Sequence, residues 1–182
     1  MKKLNMKSAT RISAFAAIMA VCAWVWIPAP VPFTLQTFGV FLASGLLGAK
    51  RGTLSVLVYL LLGALGVPVF SAGRAGIGVL LGATGGFLTG FLPMAYVCGR
   101  LCQKFKRSPK TLTVSMLLGL LICYITGTLW YAGVYLGNLG AASIAAALMQ
   151  CTLPFIVPDI LKLILAVFCV SRLTKNTMLF PL

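Results

Sequence analysis

Residues 154–170 read PFIVPDILKLILAVFCV, an apolar run interrupted by only two charges, Asp159 and Lys162. A bilayer core about 30 Å thick takes roughly 20 helical residues, so this stretch reads as a membrane span. Asp159 is the only acidic residue of the chain. It stands three positions before Lys162, so the two charges share one helix face and can neutralise each other. An ionisable group in hydrocarbon is costly and usually works there, and a buried pair seldom adds stability over apolar packing. The pair is therefore the first candidate for a ligand site. Pro154 and Pro158 predict a break in the helix just before it, with free N–H groups and a positive dipole end beside Asp159.

Outward from that run the composition is of one kind. Of 182 residues, 60% are hydrophobic and 9% charged, and the mean hydropathy is +1.06. A soluble chain carries about one quarter charged residues. A soluble globular protein, a disordered tail and a secreted disulfide scaffold are all excluded. Reading for apolar runs broken by charge, Pro or Gly gives six spans, at 12–27, 34–49, 53–67, 78–98, 111–135 and 154–170. The expectation is an all-α integral membrane protein, one six-helix domain over 1–182, in the cell membrane. A basic start and an apolar middle give the first span the look of a signal peptide. Val21, however, stands where a small residue should precede a cleaved Cys22, so the span is read as retained.

Charge sets the orientation. Lys2, Lys3, Lys7 and Arg11 precede the first span, and Lys50 and Arg51 lie between the second and third. Arg100, Lys104, Lys106, Arg107 and Lys110 lie between the fourth and fifth, and Arg172 and Lys175 follow the last. Arg74 alone falls on the opposite side. The positive-inside rule then puts both termini in the cytoplasm. Trp24, Trp26, Trp130, Tyr131 and Tyr135 fall at the outer ends, where their rings favour the interface.

Most catalytic chemistries fail on supply. The chain has no His and one acid, whereas a P-loop ATPase, a glycosidase and a Ser-His-Asp triad each need more. The +14 charge is dispersed in short clusters between apolar spans, which sets topology rather than binding nucleic acid. Six cysteines (22, 98, 102, 123, 151, 169) lie in apolar stretches and are read as small hydrophobes, not metal ligands. The expectation is a non-enzyme without cofactor or metal.

Three further features lie on the outer side. Residues 66–90 hold eight glycines, of which Gly78, Gly82, Gly86 and Gly90 recur every four residues and predict a bare strip along the fourth span. Such a strip serves either close helix packing or a ligand lying flat. Arg74 is either an outer anchor or a carboxylate clamp. The connector Pro28-Ala29-Pro30-Val31-Pro32-Phe33-Thr34-Leu35-Gln36-Thr37 is stiff and extended, a linker or a lid, and Gln36 offers a donor and an acceptor at the mouth. On the first span, Ala16-x-x-x-Ala20 and Ser13-x-x-x-Ala17 form a small-residue ridge suited to close helix approach.

These features together resemble the BioY family, the biotin-binding S components of energy-coupling factor (ECF) transporters. The resemblance runs nearly end to end. It rests on Pro30-Val31-Pro32-Phe33-Thr34-Leu35-Gln36-Thr37, Gly66-Val67-Pro68-Val69-Phe70, Gly82-Ala83-Thr84-Gly85-Gly86-Phe87 and Asp159-x-x-Lys162. Ala83 and Pro158 depart from the family's usual Pro and Gly. The resemblance implies a six-helix subunit that captures biotin from outside, with a transmembrane coupling protein and two ATPases driving release inside. It implies a ligand set of Asp159, Lys162, Arg74, Gln36, Gly82, Thr84, Gly85 and Gly86, and a docking face at Ala16 and Ala20. Asp159 and Lys162 offer the acceptor and donor complementary to biotin's ureido ring, with the valerate carboxylate toward Arg74 or Gln36; the opposite pose puts the carboxylate on Lys162, where Asp159 repels it at close range. Alternatives are an S component for another small vitamin, a stand-alone ion-coupled carrier with Asp159 as proton site, and an intramembrane enzyme using Lys162 as a base.

Overall fold

The computed structural model describes residues 6–28, 32–105 and 107–175. Lys2, Lys3, Lys106 and the connector residues Ala29, Pro30 and Val31 lie outside them. Among the described residues the fold is all-α apart from one short strand pair. Helix α1 (Met6–Trp24) leads into β1 (Trp26–Ile27), which pairs antiparallel with β2 (Phe33–Thr34). Then come α2 (Gln36–Ala64), α3 (Ile77–Leu81), α4 (Gly85–Lys104), α5 (Pro109–Trp130), α6 (Ala141–Cys151) and α7 (Leu153–Lys175). Among the described residues four helical segments are long and apolar enough to cross a membrane: α1, α2, 109–135 and α7. Leu161, Ile164 and Phe168 of α7 are 63%, 59% and 56% exposed. So much outward apolar surface suits lipid, not water. The chain is a multi-pass membrane protein.

Although α2 is helical at almost every residue, it is not one rod. Gly48 has φ 76° and ψ −173°, outside the helical region. A straight helix would hold Gln36 and Tyr59 about 34 Å apart, yet the Gln36 amide donates to the Tyr59 hydroxyl. The chain therefore reverses at Gly48 into two antiparallel arms, close to the 34–49 and 53–67 expected. The reversal is tighter than Lys50 and Arg51 suggested, because one residue makes it. A Cβ on Gly48 would meet Gln103, and one on Gly99 of α4 would lie 2.4 Å from the Ala49 nitrogen. Arg107 Nη2 donates to the Leu46 carbonyl at 2.8 Å, capping an orphan acceptor at the end of the first arm.

Two expectations need correction. The span expected at 78–98 is divided: α3 stops at Leu81, Gly82 is extended (φ −82°, ψ −169°), and α4 runs from Gly85 to Lys104. A Cβ on Gly85 would fall 1.8 Å from the Leu80 carbonyl oxygen, so the chain folds back on itself there. Gly78, Gly82, Gly86 and Gly90 thus form no continuous strip. A Cβ on Gly86 would lie 2.1 Å from Trp130 Cβ, and one on Gly90 2.2 Å from Thr126 Oγ1. Those two glycines let α4 and α5 touch backbone to side chain.

The second correction concerns Pro158. Helix α7 runs through it unbroken from Leu153. Pro158 sits one turn in, where its missing N–H forfeits a single ladder bond, to the Pro154 carbonyl. No helix start lies beside Asp159. The sequence also gave no sign of α6, which packs on α7.

Candidate functional site

Asp159 and Lys162 meet inside the bundle. Lys162 Nζ donates to Asp159 Oδ1 at 2.7 Å, and the residues are 9% and 2% exposed respectively. Two hydroxyls complete the carboxylate's shell. Thr37 Oγ1, from the second residue of α2, donates to Oδ1 at 3.0 Å. Tyr124, from the middle of α5, donates to Oδ2 at 2.7 Å. A carboxylate has about four acceptor positions, so Oδ2 keeps one. Lys162 spends one of its three donors on Asp159.

This pair forms one wall of a cavity between α2, α4, α5 and α7. Its volume is about 60 Å³. Phe70, Phe87, Phe91 and Phe155 supply the apolar walls, and Thr34, Gln36, Thr37, Ser71, Thr84 and Tyr124 the neutral polar ones. Cys123 and Cys151 also line it. Phe33 of β2 stacks on Phe155 (centroids 4.2 Å, planes 15° apart), holding the strand pair against α7.

Of the residues anticipated from sequence, Asp159, Lys162, Gln36 and Thr84 line the cavity. Gln36 is already engaged: it donates to Tyr59, accepts from Thr34 Oγ1 at 2.8 Å, and Tyr59 in turn donates to the Val69 carbonyl at 3.0 Å. Its amide fastens the connector to the second arm. Arg74 lies outside the lining but holds a lining residue, with Nη2 donating to Ser71 Oγ at 2.8 Å and Nε to the Ser71 carbonyl at 3.2 Å. Gly82, Gly85 and Gly86 are not on the cavity wall. The Gly82 carbonyl accepts from Trp130 Nε1 at 3.0 Å, and Gly85 and Gly86 back onto Leu80 and Trp130. Ala16 is buried at 2% and Ala20 is half-buried; both border an open apolar groove between α1 and the second arm of α2.

Thr37, Ser71 and Tyr124 were missed as site residues. Tyr124 carried a usable signal: a phenol mid-span needs a partner for its O–H, and the chain offers one carboxylate.

A family model described as "BioY family" matches residues 1–178. The chain belongs to the BioY family. Among curated BioY proteins, the biotin transporter BioY of Thermotoga maritima is 41% identical over 171 residues, covering 93% of this chain and 97% of that one. The probable biotin transporter BioY of Pyrococcus horikoshii is 38% identical over 175 residues, covering 96% and 100%. The 2.1 Å crystal structure of the S component for biotin from an ECF-type ABC transporter superposes with a TM-score of 0.82 at 30% identity, covering 96% of this chain and 94% of that one.

Proposed function

We propose that this BioY-family chain is a biotin-binding S component that captures the vitamin from outside and hands it to an ATP-driven module. The relatives named as biotin transporters support the ligand, and the named S component supports the role. One observation carries the chemistry: the buried Asp159–Lys162 pair, steadied by Thr37 and Tyr124, borders unfilled space. The free position on Asp159 Oδ2 accepts a ureido N–H, and a spare Lys162 donor meets the ureido carbonyl. Charge-assisted bonds of this kind are about twice as strong as neutral ones. The bicycle lies among Phe87, Phe91 and Phe155, and the valerate runs toward Ser71 and Arg74.

Thr84 remains in this ligand set, and Gln36 acts by positioning the connector. Gly82, Gly85 and Gly86 act through the α3–α4 fold-back that presents Thr84. The cavity, about 60 Å³ in volume, holds only a few waters. Biotin therefore enters by displacing the part of the wall formed by Pro32 and Thr34.

Six crossings follow from α1, the two arms of α2, α4, 109–135 and α7, with both termini cytoplasmic by the distribution of basic residues. A transmembrane coupling subunit and two ATPases drive release inside, and the groove beside Ala16 and Ala20 receives the coupling subunit. The deciding experiment is titration of the purified protein with biotin, wild type against Asp159→Asn. Tight binding unchanged in the variant overturns the pocket. Uptake driven by a proton gradient in liposomes without ATPases would favour a stand-alone carrier instead.

A further inference from the structure

We propose that the end of the bundle around Gly48 is a binding collar for anionic phospholipid headgroups. Lys50 and Arg51 sit at the reversal of α2, and Arg100 and Lys104 stand one turn apart at the end of α4. Arg172 and Lys175 end α7. Packing sets these segments at one level. A Cβ on Gly99 would touch Ala49, and one on Gly45 would lie 3.0 Å from Val170. Helix α1 runs antiparallel to the first arm, with Met19 against Gly39. Lys7, about 18 Å further along α1, therefore reaches the level of Gly48, about 14 Å along the arm. Lys110, in the first turn of α5, joins them through the Arg107–Leu46 bond.

No acidic side chain answers this charge, because the only one in the chain is Asp159, which is bonded to Lys162 in the cavity. The arrangement favours lipid over an acidic protein. A docked protein covers one side, whereas here every helix end reaching the face brings at least one cation: Lys7 from α1, Lys50 and Arg51 from α2, Arg100 and Lys104 from α4, Lys110 from α5, and Arg172 and Lys175 from α7. Two of them also sit over exposed rings. Lys104 Nζ lies 5.2 Å from the centroid of Phe105, and the Arg172 guanidinium 5.2 Å from that of Phe168. Both rings are 56% exposed. A ring at the hydrocarbon boundary with a cation above it is a geometry suited to the headgroup layer. Juxtamembrane basic residues are drawn to anionic leaflets with comparable increments for each residue.

The test is native mass spectrometry of the purified full chain, incubated with equal amounts of phosphatidylglycerol and phosphatidylcholine bearing the same acyl chains. Phosphatidylglycerol adducts are expected to predominate by about tenfold and to approach parity in about 0.5 M volatile salt, where exposed charges are screened. Lys50→Gln, Arg51→Gln, Arg100→Gln and Lys104→Gln combined reduce the preference several-fold. Lys110→Gln, Arg172→Gln and Lys175→Gln combined do so by a similar factor. Equal uptake of the two lipids by the wild type overturns the proposal and leaves the charge to an acidic partner. A preference that survives both variants and high salt overturns it equally.

Discussion

Tyr124 donates its hydroxyl to Asp159 Oδ2 over 2.7 Å, joining α5 to α7 at the chain's only acidic side chain. The bond takes one acceptor position of Oδ2 and so orients the remaining one toward the cavity. A hydrogen bond to a charged group contributes about 1.5–3 kcal/mol. Tyr124→Phe is therefore expected to weaken biotin binding by about ten- to a hundredfold with little change in fold, as read by isothermal titration calorimetry. An unaltered affinity would place the ligand elsewhere.

Asp159 and Lys162 separate binding from stability. Removing one partner of a buried pair costs about 3–5 kcal/mol, whereas replacing both with apolar groups is often neutral. Lys162→Met alone should lower the thermal midpoint. Asp159→Leu with Lys162→Met should recover most of that loss, and neither protein should retain biotin. Recovery of binding in the double variant contradicts the proposed ureido contacts.

Gly86 and Gly78 make a contrast on the same expected strip. A Cβ at Gly86 would collide with Trp130, while Gly78 has nothing within 4 Å. Gly86→Ala is expected to lower the midpoint by about 2–10 °C, as overpacking does. Gly78→Ala should hold or raise it slightly by restricting the unfolded chain. Scanning fluorimetry distinguishes them, and a neutral Gly86→Ala would remove the packing role assigned to that residue.

Arg74 reaches the cavity through Ser71. If the valerate carboxylate ends there, Arg74→Ala weakens biotin binding by about fivefold, the scale of a partly exposed ion pair. Biotin methyl ester, lacking the charge, should lose much less. Equal losses for acid and ester would show that Arg74 acts only by holding the turn at Ser71.

Ala20 borders the groove on α1 and is only half-buried. Ala20→Trp should leave biotin binding intact in detergent and abolish uptake in cells that supply the coupling subunit and ATPases. Lost binding with retained uptake per bound site would mean that the face packs internally.

The sequence carried the ion pair and most of the helices because hydrocarbon is a severe solvent: charges and long apolar runs are conspicuous in it. Shorter-range contacts were illegible. A glycine every four residues reads alike whether the helix continues or, as at Gly82, turns back beneath Trp130. Pro158 reads as a break, yet near a helix start it removes only one bond. Thr37 and Ser71 owe their positions at the site to the connector and to the 71–73 turn, whose geometry depends on side chains distant in sequence.

The reversal at Gly48 has a bearing on motion. Its single residue leaves no slack, and Gln103, Gly99 and Arg107 all brace it. That end behaves like the stitched spine of a book, so the leaves can part only at the opposite edge, where the strand pair and the Ser71 turn lie. Exchange of the cavity's contents is therefore expected at the loose edge and not at the spine.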